Sequence, residues 1–122
     1  MHISSANIQV EFDLYKVQSD GCWVEIGASS SNLFLFGCTG TDNALGIFVK
    51  VNGSYRVTQY TSGVFPVNQT THVVYTLVNN VHTVTANGTT KTVNNSQISS
   101  RSYQNVKISP NSTISNLKIK EL

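Results

Sequence analysis

The 122-residue chain has room for one hydrophobic core of ordinary size and not for two. Its 36 β-branched residues (15 Val, 8 Ile, 13 Thr) against 4 Ala point to pleated sheet, and 47 Ser, Asn, Thr and Gln against 14 charged residues make a hydroxyl and amide surface. A net charge of +2 lacks the dense Lys/Arg footprint of a nucleic-acid binder, and no apolar run approaches the roughly 20 residues that span a bilayer, so neither partner is expected.

In chain order, Ile8, Val10, Phe12 and Leu14 alternate with Gln9, Glu11, Asp13 and Tyr15, the pattern of a half-buried strand. After Asp20-Gly21, Cys22–Gly27 and Leu33–Cys38 flank a small polar linker, Ala28-Ser-Ser-Ser-Asn32, that suits a hairpin centred on Ser30. That register sets Cys22 opposite Cys38, with Cys22, Val24 and Ile26 facing inward and Trp23 and Glu25 outward. Whether the two thiols are joined depends on a redox compartment that the sequence does not give.

Leu45–Val51 and Ser54–Tyr60 flank Asn52-Gly53, a dipeptide that accepts the two positive φ angles of a type I′ turn. Across that turn a regular ladder sets Lys50 against Tyr55 and Val49 against Arg56. His72–Val78, Val81–Ala86 and Thr89–Val93 follow, joined by Asn79-Asn80 and Asn87-Gly88, as a three-stranded meander. The same turns put Thr76, Thr83, Thr85, Thr90 and Thr92 on one face. Tyr103–Ser109 and Thr113–Lys120 are the last two strands, and the only helix expected is a single turn within Asn94–Arg101. The sum is an all-β, two-sheet antiparallel β-sandwich of nine to ten strands, because a single sheet of that length leaves an apolar face wet. Residues 1–122 read as one domain cut from a longer protein, since the strands begin at Ile8 and run almost to Leu122.

Four stretches carry a resemblance: Val10-Glu-Phe-Asp-Leu14; Gly46-Ile-Phe-Val-Lys-Val-Asn-Gly-Ser54; Thr71-His-Val-Val-Tyr-Thr-Leu77 leading to Val84-Thr-Ala-Asn-Gly88; and Ile114-Ser-Asn-Leu-Lys-Ile119. In this order and spacing they resemble the concanavalin A-like lectin/glucanase jelly roll, in the laminin-G-like version of phage tail proteins and adhesins. Where that family usually has a tryptophan before the His72 position, this chain has Thr71. The resemblance implies the jelly-roll sandwich and leaves function open among sugar binders, protein binders, hydrolases and spacers.

Glucanases of that superfamily place three carboxylates on one strand face. Glu11 and Asp13 supply two, but Tyr15 and Lys16 follow, so no enzyme is expected and the two acids read as solvated groups. No Gly-X-Ser-X-Gly elbow and no zinc or calcium spacing occurs, so no cofactor is expected; Gly40-Thr-Asp-Asn43 is the one near candidate for an ion. The aromatic side chains able to stack on a sugar ring are Tyr15, Trp23, Tyr55, Tyr60 and Tyr103. These features lead to the expectation of a non-catalytic, carbohydrate-binding (lectin-like) module of an extracellular or virion surface protein. Its glycan would lie on the rim between the Cys38–Asn43 loop and the Tyr55–Tyr60 strand, stacked on Tyr60 or Trp23, with Asp42, Asn43, Tyr55 and Arg56 around it. The alternative is a structural, assembly or protein-interaction sandwich with no small ligand, forming a homo-oligomer through its parent protein.

Overall fold

Alternating apolar and polar residues bury one face of each strand, and the computed structural model, which describes residues 7–17, 21–39, 43–94, 105–109 and 113–122, arranges those strands in two layers. They are β1 (Ile8–Tyr15), β2 (Cys22–Ser29), β3 (Asn32–Thr39), β4 (Ala44–Val51), β5 (Ser54–Thr61), β6 (Thr70–Val78), β7 (Val81–Ala86), β8 (Thr89–Asn94), β9 (Asn105–Ile108) and β10 (Ile114–Glu121). One sheet has the order β10-β1-β6-β7-β8 and the other β5-β4-β3-β2-β9, with every pairing antiparallel. Ten strands stand among the described residues, at the upper end of the range expected. The possible helical turn within Asn94–Arg101 and the strand start at Tyr103 lie outside the described residues.

Three two-residue turns have positive φ at both positions: Asn52 and Gly53 (49° and 83°), Asn79 and Asn80 (50° and 67°), Asn87 and Gly88 (49° and 76°). These are type I′ turns, whose twist matches that of the strands they join. The β2–β3 hairpin has the expected register, with Cys22 opposite Cys38 and Val24 opposite Phe36. Its strands run further into the linker than expected, with a bulge before Ser29 that leaves only Ser30 and Ser31 as the turn. Both cysteines are buried thiols, not joined in a disulfide.

The inward residues of the two layers meet in one core that includes Phe12, Val24, Phe34, Phe36, Ile47 and Tyr75. Phe36 of one sheet stacks on Tyr75 of the other at 3.7 Å between ring centroids and 2° between planes. Beside them His82 is 1% exposed, its Nδ1 2.7 Å from the Tyr75 hydroxyl and its ring edge-on to Phe34 at 5.0 Å. Burial without a compensating charge pushes the His82 imidazole down to about 4. The segment between β5 and β6 closes one end of the sandwich with Val64 and Phe65, both buried.

Candidate functional site

One register on the outer face of the β5-β4-β3-β2-β9 sheet departs from what the sequence led us to expect. Lys50 does face Tyr55, but a bulge between Val49 and Lys50 pairs Val49 with Val57 instead of Arg56. Arg56 is the extra residue and has no cross-strand partner in the ladder. The bulge has a consequence for the face. Tyr55 and Tyr60 are five positions apart and would alternate to opposite sides of a regular strand. The inserted residue restores the parity, so that Tyr55 stands opposite Lys50 and Tyr60 opposite Gly46. Both tyrosines are more than half exposed.

Following the ladder across the sheet from Tyr60 leads to Gly46, then Gly37, then Trp23. Four strands at about 4.8 Å spacing set the Trp23 and Tyr60 backbones about 14 Å apart, with two residues lacking side chains between them. Gly37 is required by its surroundings. Its φ is 134°, and an added Cβ would lie 2.8 Å from the Cys22 carbonyl oxygen. The half-buried Trp23 indole lies along β2, with its benzo edge over Gly21 and its Nε1–H donating to Glu25 Oε1 at 3.0 Å. The row therefore has two buried glycines in its middle and an aromatic residue at each end.

The next rows on the same face are Lys107, Glu25, Leu35, Phe48, and then Gly27, Leu33, Lys50, Tyr55. Leu35 is 5% exposed although it faces away from the core, and Phe48 meets Tyr55 edge-on at 6.0 Å. Lys50 Nζ lies 5.6 Å from the centre of the Tyr55 ring. Beside these residues is a depression of about 220 Å³, floored by Gly27 and Leu33 and bordered by Ser29 and Ser30 of the hairpin end, by Lys50 and Tyr55, and by Glu25 and Lys107.

Of the expected site residues, the fold lines up Trp23 with Tyr60 and puts Tyr55 at the far end of the same face. Asn43 is at φ 57°, and its carbonyl accepts from the backbone N–H groups of Val64 (2.9 Å) and Phe65 (3.2 Å), while its Oδ1 is buried without a hydrogen-bond partner among the described residues. Asp42 and the rest of the 40–42 loop lie outside the described residues, as does the side chain of Arg56. Residues that sequence reasoning passed over are Gly37, Gly46, Lys50 and Lys107. The two mid-strand glycines were the available signal, since glycine inside a strand marks a close backbone approach.

The opposite sheet carries the threonine ladder as expected, with Thr76 beside Thr83 and Thr83 beside Thr92, and the Thr85 and Thr90 hydroxyls 3.0 Å apart. Glu11 and Asp13 are more engaged than solvated acids. His72 on β6 reaches Asp13 through Nδ1 at 2.7 Å and Glu11 through Nε2 at 3.4 Å, and Asn116 Nδ2 donates to Asp13 at 2.8 Å. The hydrogen bond to Asp13 holds the His72 imidazole above its ordinary value, and those from Asn116 and His72 hold the Asp13 carboxyl below its own. Among the described residues, no three His, Cys, Asp or Glu side chains are grouped to hold a metal ion.

By sequence, no protein-family model and no characterised protein matches this chain. By structure it is similar to galectins over 98% of its length. The homodimeric agglutinin CG-16 from chicken liver has a TM-score of 0.73 at 13% identity, with 95% of that chain covered. Chicken galectin 2 has 0.74 at 11% and 97%. The toad ovary galectin, solved in complex with thio-digalactose, has 0.74 at 13% and 97%. The fold is thus an all-β sandwich of two antiparallel sheets like that of the galectins.

Proposed function

We propose that this chain is a non-catalytic carbohydrate-binding module that holds its glycan on the outer face of the β5-β4-β3-β2-β9 sheet. The observation that carries the reading is the Trp23–Gly37–Gly46–Tyr60 row. A sugar ring has an apolar C–H face that suits an aromatic platform, and the row carries an aromatic residue at each end. The glutamate that accepts from Trp23 Nε1 fixes the indole before a ligand arrives, so less side-chain freedom is lost on binding. The solved structures with the same fold support the reading, one of them a galectin holding thio-digalactose. The site residues are Trp23 and Tyr60 as stacking groups, with Tyr55 further along the same face. Glu11 and Asp13 serve as partners of His72 on the other sheet and do no chemistry. A hydroxyl- and amide-rich surface of low charge fits display outside a cell or on a virion.

The test is a glycan array with the isolated chain, followed by titration of the strongest neutral or charged ligand against Trp23→Ala and Tyr60→Ala. Each variant is expected to weaken binding by about tenfold, about 1.4 kcal/mol, in protein that remains folded. Wild-type affinity in both variants would move the site off this row. The assembly reading draws on the apolar Leu33, Leu35 and Phe48 of the same face. It calls for a concentration-dependent dimer in solution that Phe48→Glu disperses, and no glycan binding.

A further inference from the structure

We infer that the depression on the same face as Trp23 and Tyr60 selects glycans that carry an anionic substituent, a carboxylate or a sulfate, held by Lys50 and Lys107 at its border; this rests on the carbohydrate reading above. The two lysines stand on β4 and β9, three strand spacings or about 14 Å apart across the strands and one two-residue step apart along them, and both border the same cavity. At about 220 Å³ the depression is smaller than the roughly 300–1,000 Å³ of pockets that enclose drug-sized ligands, so it takes one ring or its substituent.

Charge decides which ring. The cavity border holds two lysines and one glutamate, a formal excess of one positive charge. Glu25 is engaged by Trp23 Nε1, and the ion pairs among the described residues are those of His72 with Glu11 and Asp13. Glu25 stands opposite Lys107 in the ladder, and among the described residues no carboxylate lies within ion-pairing distance of either lysine, in a chain with a net charge of only +2. Lys50 is set against the Tyr55 ring, which holds its ammonium at the cavity border. The remaining border offers the Ser29 and Ser30 hydroxyls for sugar hydroxyls and the Leu33 side chain as a floor for a C–H face. Two ammonium groups, two hydroxyls and an apolar floor are the complement of an acidic monosaccharide.

The experiment prints neutral, uronate-bearing, sialylated and sulfated glycans on one array, then titrates the best acidic ligand beside its carboxyl-reduced or desulfated counterpart. Wild-type protein is expected to prefer the acidic form by about tenfold or more, and the preference should shrink as salt rises. Lys50→Gln combined with Lys107→Gln should abolish the preference, bringing the acidic ligand down to the affinity of its neutral counterpart. Reduction and desulfation distinguish which anion the lysines hold. Equal binding of the acidic and neutral forms, or a preference that survives the double substitution, would overturn this inference and leave the lectin reading intact. Absence of binding to every glycan would overturn the lectin reading, and this inference with it.

Discussion

His82 should make this domain acid-sensitive by an amount that can be worked out beforehand. In the folded chain the ring is buried against Phe34 and Tyr75, and its neutral form persists down to about 4. In the unfolded chain it protonates near 6.5. Between those values the unfolded state binds the extra proton, so this residue's contribution to stability is full above about pH 6.5 and is lost as pH falls toward 4. At about 1.36 kcal/mol per pH unit, and allowing for partial protonation of the folded form, the loss between pH 7.5 and pH 4.5 is about 2–3 kcal/mol. Carboxylates and His72 titrate over the same range, so the quantity to measure is a difference. Urea unfolding free energies of wild type and His82→Phe are compared at both pH values. The substitution also removes the partner of the Tyr75 hydroxyl, but that penalty does not vary over this range and cancels. The gap between the two proteins should shift by about 2–3 kcal/mol in favour of the variant at pH 4.5. A shift below about 1 kcal/mol would refute the reasoning, because it would mean that water reaches His82 or that the ring relocates when charged.

Gly37→Ala should lower stability by at least about 2 kcal/mol, since a φ of 134° costs a non-glycine residue about 1–3 kcal/mol and the new Cβ also meets the Cys22 carbonyl; an unchanged urea midpoint would disprove it. Oxidation of the purified chain should join Cys22 to Cys38, because residues opposite each other in an antiparallel pair have Cα atoms about 4.5–5.5 Å apart, inside the disulfide range. The product should be lighter by two hydrogens on mass spectrometry and more stable by up to about 3 kcal/mol, the value for a loop of some 15 residues. Recovery of intermolecular dimers alone would contradict the pairing. The Asp13–His72 contact should stabilise the fold below about pH 6.5 and fade as pH rises through the elevated His72 value, whereas Asp13 contributes above its ordinary range and fades in acid. His72→Ala should therefore cost little at pH 8 and more at pH 5.5, and high salt should narrow the difference.

The sequence by itself determined the local structure. Period-two alternation in Ile8–Leu14 and in the strands after it specified which side of each strand is buried, because reversing a strand would expose its whole apolar set. Asparagine and glycine at the three tight turns specified the hairpins, since few residues tolerate two consecutive positive φ angles. The symmetry of Cys22 and Cys38 about Ser30 likewise specified one register correctly. What joins β1 to both β6 and β10, and β9 to β2, is side-chain packing between distant segments, and no local pattern encodes it. The candidate site belongs to that second category. Trp23 and Tyr60 stand 37 positions apart in the chain, and three antiparallel ladders align them across two glycines. Tyr60 shares a face with Tyr55 because one bulge at Arg56 changes the parity of β5, and a bulge is chosen by how a strand fits its neighbour. Lys50 and Lys107 border one cavity for the same reason: strand order is decided by which apolar faces close over the core, and residues on the outer surface are brought together as a consequence.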